Sequence, residues 1–543
     1  MPLSKKPKVL IVNCYSDNNR GARGNPDFVP QSIAPLALAG VFEPGQVEIR
    51  VACEFQQGPM EDLRLLAWPD LLVLTGLNAS LDRMKHLCAY AQSLNPSVCV
   101  AMGGPLARVL PLHCRQFFDE VLPGDVEDLA PLAADLFGPH VIAPEPGLRH
   151  DLAPPGHRVA YAEASRNCNF SCSFCAMTAE GRAYQPHDLG YIRRQLMQLG
   201  HKPCVMFLDQ NFAGGPRAGL MARLALLREF HDSGQLQGWA ALVTSDFFAR
   251  PEMLEAARIS GCIGFFSGVE SLDPTQLRGF GKKQNLSGQT LERIERCLGA
   301  GMTFHYGLIH DPVTQHVQQL LDEVTAIAAT PSITLPSFVS LAIPLLGTPL
   351  FQARLREGSL LPGIRLRDMD GRTLLTHSLD DPEQARCLVA RMDRGLVGCR
   401  AALAHGMGFL RRYAGRMQKY ALLSALSPNL AQAFPALGTA ARDWHLRASA
   451  PMRSHVAGAE ALGTLYRPLM PLASRYARYF EPVCVTDGRG ALHEDLQADL
   501  GAGVQPLTAQ SLQAVQFSRP GGARPMARSD VLAGKNQVAS PVL

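Results

Sequence analysis

Three cysteines within eight residues constrain this chain more than any other feature of its sequence. Cys168, Cys172 and Cys175 have the spacing C-x3-C-x2-C. This loop is one thiolate short of the four-cysteine set that commonly holds an iron–sulfur cluster. Three thiolates can ligate three irons of a [4Fe–4S] cube and leave the fourth iron open to a ligand that is not protein. The spacing therefore predicts a cluster with one open iron.

Two other interpretations of this loop are available. The cysteines could be small buried hydrophobes, since cysteine is among the most buried residue types. A structural zinc ion would need a fourth ligand, and the spacing is not that of a zinc finger. However, Phe174 lies directly before the last cysteine, and an apolar run, Val159–Ala162, precedes the loop. This context favours a cluster-binding loop.

The cysteine distribution, the net charge and the pattern of apolar residues limit the classes of function that this sequence can have. The other cysteines among the 14 are scattered, mostly in apolar runs, and do not form a disulfide framework. We interpret them as free thiols in a reducing compartment, which an oxygen-sensitive cluster also needs. A net charge of +4 with mixed signs argues against a dedicated nucleic-acid surface. No signal-peptide core or membrane-span pattern is present, so the sequence predicts a cytoplasmic protein.

Residues 1–138 alternate short apolar strands with helical stretches, which is typical of a doubly wound parallel sheet. The predicted strands are Val9–Val12, Val47–Val51, Leu71–Leu74, Val98–Met102 and Glu120–Leu122. Ligands of such sheets bind beyond the carboxyl ends of the strands, where Thr75 and Gly103-Gly104 occur. Residues 139–157 are rich in proline and predict an interdomain linker.

Residues 158–352 repeat a strand and a helix six times, which predicts a complete or partial barrel of parallel strands. The predicted strands are Arg158–Ser165, Cys204–Leu208, Trp239–Thr244, Ile263–Ser267, Thr303–Ile309 and Phe338–Ile343. Function in such barrels lies at the carboxyl ends of the strands. Asp209, Ser245 and Glu270 lie at such ends, as the cysteine loop does. Each could instead cap a helix or a turn, and for Ser245 the two alternatives are balanced.

The remaining residues carry no recognisable motif. Residues 353–517 predict a mainly helical domain, including a basic stretch at Leu396–Leu426, and we expect its helices to cap the barrel mouth. Residues 518–543 are rich in Gly, Pro, Ser and Arg and predict a disordered tail.

The cysteine loop resembles the signature loop of the radical S-adenosylmethionine (radical SAM) enzymes, and the resemblance covers a partial (β/α)6 barrel. Segments similar to the family's strand-end motifs are Phe207–Phe212, Gly268–Ser271, Lys282–Asn285 and Ile343–Leu350. The resemblance implies that the three cysteines bind a [4Fe–4S] cluster whose open iron chelates SAM. It also implies cofactor contacts from Phe174, Asp209, Ser245 and Glu270. Where relatives commonly carry Gly-x-Pro, this chain has His310 and Asp311, for which we favour helix capping over substrate contact.

The first domain resembles the cobalamin-binding domain that precedes many radical SAM barrels. The similarity rests on the strand–helix succession, the Thr75–Ser80 loop, Gly103-Gly104 and the acidic segment 124–127. It implies cobalamin contacts from Thr75, Ser80, Gly103 and Gly104. The Asp-x-His-x-x-Gly motif, whose histidine ligates cobalt, is absent. We interpret His86 and His113 as solvated surface residues.

The resemblance implies reductive cleavage of SAM and, with cobalamin, methylation of an unactivated carbon in a specialised metabolite or lipid. Without cobalamin, the same core would catalyse a rearrangement, a cyclisation or another alkyl transfer, such as that of the aminocarboxypropyl group. A non-catalytic iron–sulfur or zinc scaffold is the third alternative. The implied partners are a small-molecule or lipid substrate and an external electron donor such as a flavodoxin or ferredoxin, without nucleic acid.

Overall fold

The computed structural model describes residues 6–16, 32–57, 59–60, 62–153, 159–435 and 467–501. Its strands are β1 (Lys8–Asn13), β2 (Glu48–Cys53), β3 (Leu71–Thr75), β4 (Cys99–Met102), β5 (Glu120–Val121), β6 (Val159–Ala162), β7 (Ser165–Arg166), β8 (Gln185–Pro186), β9 (Cys204–Phe207), β10 (Trp239–Leu242), β11 (Cys262–Phe266), β12 (Thr303–His305), β13 (Gly307–His310) and β14 (Phe338–Leu341). Its α-helices are α1 (Ala34–Ala39), α2 (Glu54–Gln57), α3 (Leu81–Leu94), α4 (Pro105–Val109), α5 (Pro111–Cys114), α6 (Leu129–Phe137), α7 (Ala176–Glu180), α8 (Leu189–Leu199), α9 (Arg217–Asp232), α10 (Pro251–Ile259), α11 (Pro274–Gly279), α12 (Thr290–Gly299), α13 (Val317–Ala328), α14 (Pro349–Arg356), α15 (Pro382–Arg394), α16 (Cys399–Tyr413), α17 (Lys419–Ala433) and α18 (Gln497–Leu500).

The first sheet is parallel throughout and has the strand order β2-β1-β3-β4-β5. Its central strands are apolar runs buried on both faces, as parallel sheets require. The doubly wound sheet expected from the sequence is thus confirmed. The predicted linker starts by packing on this domain, since Val141 is buried and Ile142 pairs with Phe42.

The barrel contains a second parallel sheet with the order β12-β11-β10-β9-β6. The strand that starts as β12 continues as β13, which pairs in parallel with β14. A bridge between Glu270 and Leu308 joins β13 to the segment that follows β11. These strands occupy six positions in succession, which confirms the predicted partial (β/α)6 barrel. Large aromatic side chains such as Trp239 and Phe265 fill the core beneath the helices.

The helices α16 and α17 pack along β12 of the barrel, and the expectation that this region caps the barrel mouth stays a prediction. The Tyr413 hydroxyl donates to the Ser332 carbonyl at 2.6 Å, and a Cβ added at Gly301 would lie 2.8 Å from the Arg416 carbonyl. Ser332 and Gly301 precede β14 and β12, so these two contacts lie at the amino ends of the strands. The Ser424 hydroxyl of α17 lies 2.8 Å from His305 Nε2 at the carboxyl end of β12, so α17 follows this strand along its length. The apolar faces of α16 and α17 join the barrel core.

Residues 467–501, which we call the C-terminal strap, pack against the first domain. Tyr479 donates to the Phe117 carbonyl at 3.0 Å, and its ring joins the apolar cluster beneath α3. The Val483 amide donates to Asp82 at 3.0 Å, and the Lys85 ammonium donates to the Glu481 carbonyl at 2.7 Å. The strap therefore completes the core of a domain that lies almost 400 positions earlier in the chain.

The C-terminal strap also corrects the interpretation of two histidines as surface residues. His86 is 1% exposed and stacks on Phe480 with 4.5 Å between ring centroids, and His113 is 5% exposed. Burial, and then the nearby Lys85 ammonium, lowers the pKa of His113 to about 4. Both rings are buried because the strap covers α3 and α5.

Two further expectations concern the ends of the chain and membranes. The predicted disordered tail, residues 518–543, lies outside the residues that the structure describes. In the described part of the chain, no helix combines the length and the apolar character that crossing a membrane requires.

Candidate active site

The cysteine loop extends from the carboxyl end of β6. The short antiparallel pair of β7 and β8 brings the two ends of the loop region together. Asn167 has φ = 62° and donates from its side chain to the Ala183 carbonyl at 3.0 Å, which fixes the start of the loop. Asparagine tolerates this left-handed conformation better than most residues. Cys172 is buried, while Cys168 and Cys175 are partly exposed.

Segments that follow other barrel strands hold the loop in place. Within the loop, the Cys172 carbonyl accepts a hydrogen bond from the Thr178 hydroxyl at 2.8 Å. The Ser173 amide donates to the Phe280 carbonyl at 2.9 Å, and its carbonyl accepts from the Leu350 amide at 2.8 Å. The three cysteines are thus fixed at the barrel mouth by backbone contacts from segments after β11 and β14.

The three thiols lie within electrostatic range of one another. Burial raises the pKa values of Cys168 and Cys175, and proximity to Cys172 raises both further. In the described residues, no three His, Cys, Asp or Glu side chains converge tightly enough to hold a single metal ion. A cube has different requirements, because each thiolate ligates its own iron at a separate corner. Three thiols on one loop therefore suit a cube, with one thiolate for each of three irons.

A buried ion pair lies beside the cysteine loop. The Lys282 ammonium donates to Glu270 at 2.6 Å, and both side chains are about nine-tenths buried. Burial alone would lower the pKa of Lys282, but the charge of Glu270, followed by Cys172, raises it. Glu270 has φ = 65°, so its backbone is in the left-handed region that non-glycine residues seldom adopt. This backbone conformation lies where the sequence predicts a cofactor contact.

Ser245 supports the segment that carries Lys282. Its hydroxyl donates to the Gln284 carbonyl at 2.9 Å and also bonds to the Asn285 side chain. Arg293 donates to the Ser245 hydroxyl at 3.0 Å. These bonds account for the buried side chain without a cofactor, and a direct cofactor contact of Ser245 stays a prediction.

Asp209 lies beneath the start of the cysteine loop. Its carboxylate accepts hydrogen bonds from the Ala164 amide at 3.1 Å and from the Ser165 hydroxyl. Burial raises the pKa of Asp209 to about 6. The residue therefore positions the chain between β6 and β7, and its predicted contact with SAM stays a prediction.

Glu163 is a site residue that the sequence reasoning missed. It accepts from the Tyr191 hydroxyl at 2.8 Å and pairs with Arg166 and His187 at 3.1 Å each. Burial by itself would raise the pKa of Glu163, but the hydrogen bond with His187 and the charge of Arg166 lower it to about 2. Glu163 directly follows β6, so the strand-end rule that selected Asp209 and Glu270 could have selected it as well.

The first domain contacts the cysteine-loop region through segment 123–127, at the carboxyl edge of the first sheet. Arg182 donates to the carbonyls of Pro123 and Gly124 at 2.7 Å each and pairs with Asp125. Arg166 pairs with Glu127 at 2.8 Å. The carboxyl ends of the two sheets therefore face each other across this contact.

The four first-domain residues predicted to contact a cofactor occupy different environments. Gly104 is exposed with φ = 97°, and a Cβ there would lie 3.0 Å from the Gly76 carbonyl. Thr75 lies beside it, and a Cβ at Gly103 would make an ordinary contact with the Leu122 carbonyl, 3.8 Å away. Ser80 is fully buried and donates to the Cys14 carbonyl at 3.0 Å, which makes it a support of the loop. Cofactor binding by all four stays a prediction.

His310 and Asp311 do not cap a helix, because the N-cap residue of α13 is His316. Asp311 accepts from the Val313 amide at 3.1 Å and pairs with Arg354. His310 is fully buried, and its Nδ1 lies 2.9 Å from the Gln315 side-chain oxygen. These contacts hold Asp311 and one nitrogen of His310, whereas the buried His310 Nε2 has no hydrogen-bond partner among the described residues.

Comparison with known proteins now identifies the barrel. The model of the Radical SAM superfamily matches residues 163–324, which include the cysteine loop, Asp209, Glu270 and Lys282. Over these residues the barrel of this chain is similar to the Radical SAM superfamily. Members of the superfamily use a [4Fe–4S] cluster and SAM, in agreement with the three-cysteine loop.

Two curated methylases are similar to this chain. It is 26% identical over 318 residues to the hopanoid C-2 methylase of Rhodopseudomonas palustris (strain TIE-1), covering 54% of this chain and 59% of that protein. It is 26% identical over 204 residues to the bacteriochlorophyllide d C-12(1)-methyltransferase of Chlorobaculum tepidum, covering 32% of this chain and 41% of that protein. The chain thus spans less than two thirds of the length of these relatives.

A solved structure shares the fold over almost the whole chain. The cobalamin-dependent S-adenosylmethionine radical enzyme OxsB, with aqua-cobalamin and S-adenosylmethionine bound, superimposes with a TM-score of 0.54. The match covers 92% of this chain and 84% of OxsB at 15% sequence identity. The likeness therefore extends to the first domain and confirms the architecture of a doubly wound sheet followed by a partial barrel.

Proposed function

We propose that this chain is a radical SAM enzyme and a cobalamin-dependent methyltransferase that acts on an unactivated carbon of a lipid or specialised metabolite. The observation that carries the proposal is the meeting of two carboxyl edges at one place. Arg182 and Arg166 attach the cysteine loop to segment 123–127, and the preceding Leu122 carbonyl lies 3.8 Å from a Cβ built at Gly103. Two cofactors, one bound by each domain, would thereby be brought together. The methylase relatives support the same reaction class.

The residues of the chain have separate tasks in this proposal. Cys168, Cys172 and Cys175 would hold the cluster, and the Glu270–Lys282 pair would line the SAM side of the mouth. Thr75 and the two glycines at 103 and 104 would let cobalamin approach the backbone closely. When bound, these cofactors supply the electron that cleaves SAM and a transferable methyl group. The protein contributes orientation and the exclusion of water.

The proposed partners follow from this chemistry. The substrate would be a small molecule or lipid that reaches the contact between the two domains. An external one-electron donor such as a flavodoxin or ferredoxin would reduce the cluster.

The experiment is anaerobic reconstitution of the full chain with iron, sulfide and hydroxocobalamin, followed by SAM and dithionite. We expect bound cobalamin in the absorbance spectrum and production of 5′-deoxyadenosine, with Cys172→Ala producing none. If the wild-type protein binds no cluster, the proposal that it is a radical SAM enzyme is wrong.

A second candidate function is radical SAM chemistry without cobalamin, such as rearrangement, cyclisation or aminocarboxypropyl transfer. The histidines of residues 1–138 are His86 and His113, and both are buried beneath the C-terminal strap. Neither can ligate cobalt without displacement of the strap. Formation of 5′-deoxyadenosine by protein that retains no cobalamin would favour this second function.

A further inference from the structure

Gln284 makes a direct contact with the middle cysteine of the loop. Its side-chain Nε2 donates to the Cys172 Sγ at 3.7 Å, although the two residues lie 112 positions apart. The other side-chain atom, Oε1, is buried and has no hydrogen-bond partner among the described residues. Among the described residues, the Cys172 sulfur therefore orients this side-chain amide, and no partner of Oε1 helps to orient it.

The backbone around Gln284 is held firmly. Its carbonyl accepts from the Ser245 hydroxyl and from Arg293, at 2.9 Å each. The next residue, Asn285, donates from its side chain to the carbonyls of Gly268 and Val269 at 2.9 and 3.0 Å. The amide of Gln284 thus reaches the cysteine loop from a rigid support.

Lys282 brings a positive charge to the same side of the loop. Its ammonium lies 5.8 Å from the centre of the Phe174 ring and interacts electrostatically with Cys172 and Cys175. Glu270 bonds to the ammonium at 2.6 Å, but Lys282 is the member of this pair whose charge acts on Cys168 and Cys175. A cation and an N–H donor therefore face thiols that would ligate the cluster.

We propose that Lys282 and Gln284 tune the reduction potential of the cluster held by the three cysteines. Reduction adds one negative charge to the cluster and its thiolates, and a nearby cation or an N–H···S bond stabilises the reduced form. Loss of either group makes the potential more negative and the cluster harder to reduce. This inference rests on the proposed function, because it requires a bound cluster.

The test is a redox titration of the anaerobically reconstituted full chain without SAM, followed by electron paramagnetic resonance. The variants are Gln284→Leu, which removes the N–H donor, and Lys282→Met combined with Glu270→Gln, which removes the pair without leaving a buried charge. We expect a more negative midpoint potential for both, with iron and sulfide contents equal to the wild type. The matched control is Lys283→Met, because Lys283 is the exposed neighbour and its loss should leave the midpoint unchanged.

The results for the variants and for the wild type test different parts of the proposal. A fully loaded Gln284→Leu protein with the wild-type midpoint overturns the tuning role of Gln284, and the same result for the pair variant overturns that of Lys282. If Gln284→Leu retains no cluster, Gln284→Met decides, because it also removes the N–H donor without adding a charge: a more negative midpoint supports the role of Gln284, and the wild-type midpoint overturns it. A wild type that binds no cluster overturns the proposed function itself.

Discussion

Gly268 lies where the chain leaves β11 toward the mouth, and the absence of a side chain there is a structural requirement. A Cβ at this position would lie 2.1 Å from Glu270 Oε1 and 2.5 Å from Lys282 Nζ. Both atoms belong to the buried ion pair beside the cysteine loop. The missing side chain at Gly268 therefore leaves room for the Glu270–Lys282 ion pair. The position of this glycine in the sequence does not reveal that role.

We expect Gly268→Ala to separate Glu270 from Lys282 and to lower the free energy of unfolding by about 1–3 kcal/mol, as overpacking typically does. Denaturant unfolding measures this change. Gly279→Ala is the matched control, since a Cβ there meets nothing within 4 Å. Equal stabilities of the two variants would mean that the pair adjusts without cost.

Asp209 predicts a pH dependence of stability. Its pKa is 3.8 in the unfolded chain and about 6 when folded, so the folded protein binds the extra proton between these values. Stability contributed by this group is complete below about pH 4 and is lost as the pH rises through about 6. The Asp209→Asn variant lacks this titration. We expect its stability relative to the wild type to rise by about 1–3 kcal/mol from pH 4 to 7, and a constant difference across this range would contradict the pKa shift.

At the scale of elements, patterns along the sequence located the strands well. The apolar runs predicted β1, β3, β9 and β14 within a few residues, because a buried parallel strand must be apolar on both faces. The same apolar runs also located the candidate site residues, because each run marks where a strand ends and polar residues begin. The packing of α17 along β12 was not predicted, since an amphipathic helix shows which face it buries but not against what.

The contact between the cysteine loop and the first domain should be sensitive to mutation of Arg182. Arg182→Ala removes two bonds to carbonyls and the pair with Asp125, so we expect a loss of about 1–3 kcal/mol in unfolding free energy. Iron retained after reconstitution should fall as well, because the loop loses its attachment to segment 123–127.

The control is Arg193→Ala, which removes an exposed pair with Glu229 on the outside of the barrel and should have little effect. If Arg182→Ala retains full iron and wild-type stability, the contact does not position the loop.

At the scale of the whole molecule, the C-terminal strap joins regions that are distant in the chain. Asp82 of α3 accepts from the Val483 amide and pairs with Arg367 at 2.9 Å. Lys85 is buried beside them, and burial lowers its pKa. Charged side chains this deeply buried need their partners, so the strap is part of the first domain's stability.

We expect truncation after Pro435 to expose α3 and its apolar surroundings. The truncated protein should bind a hydrophobic dye such as ANS and unfold at a lower temperature than the full chain, because the buried charges of α3 lose their partners. Truncation after Gly501 retains the whole strap and serves as the control. Equal melting temperatures and equal dye binding for the two truncations would show that the first domain is stable without the strap.

The sequence by itself determined the cysteine loop, the two parallel sheets and the strand ends at which the site lies. These features depend on local spacing and on the burial pattern of short segments, which neighbouring residues encode. Only the tertiary structure decided that His86 and His113 are buried, that Lys282 pairs with Glu270, and that Gln284 contacts Cys172. Contacts between distant parts of the chain join residues up to 401 positions apart, as Asp82 and Val483 are, and their energies depend on which surfaces meet once the domains have packed.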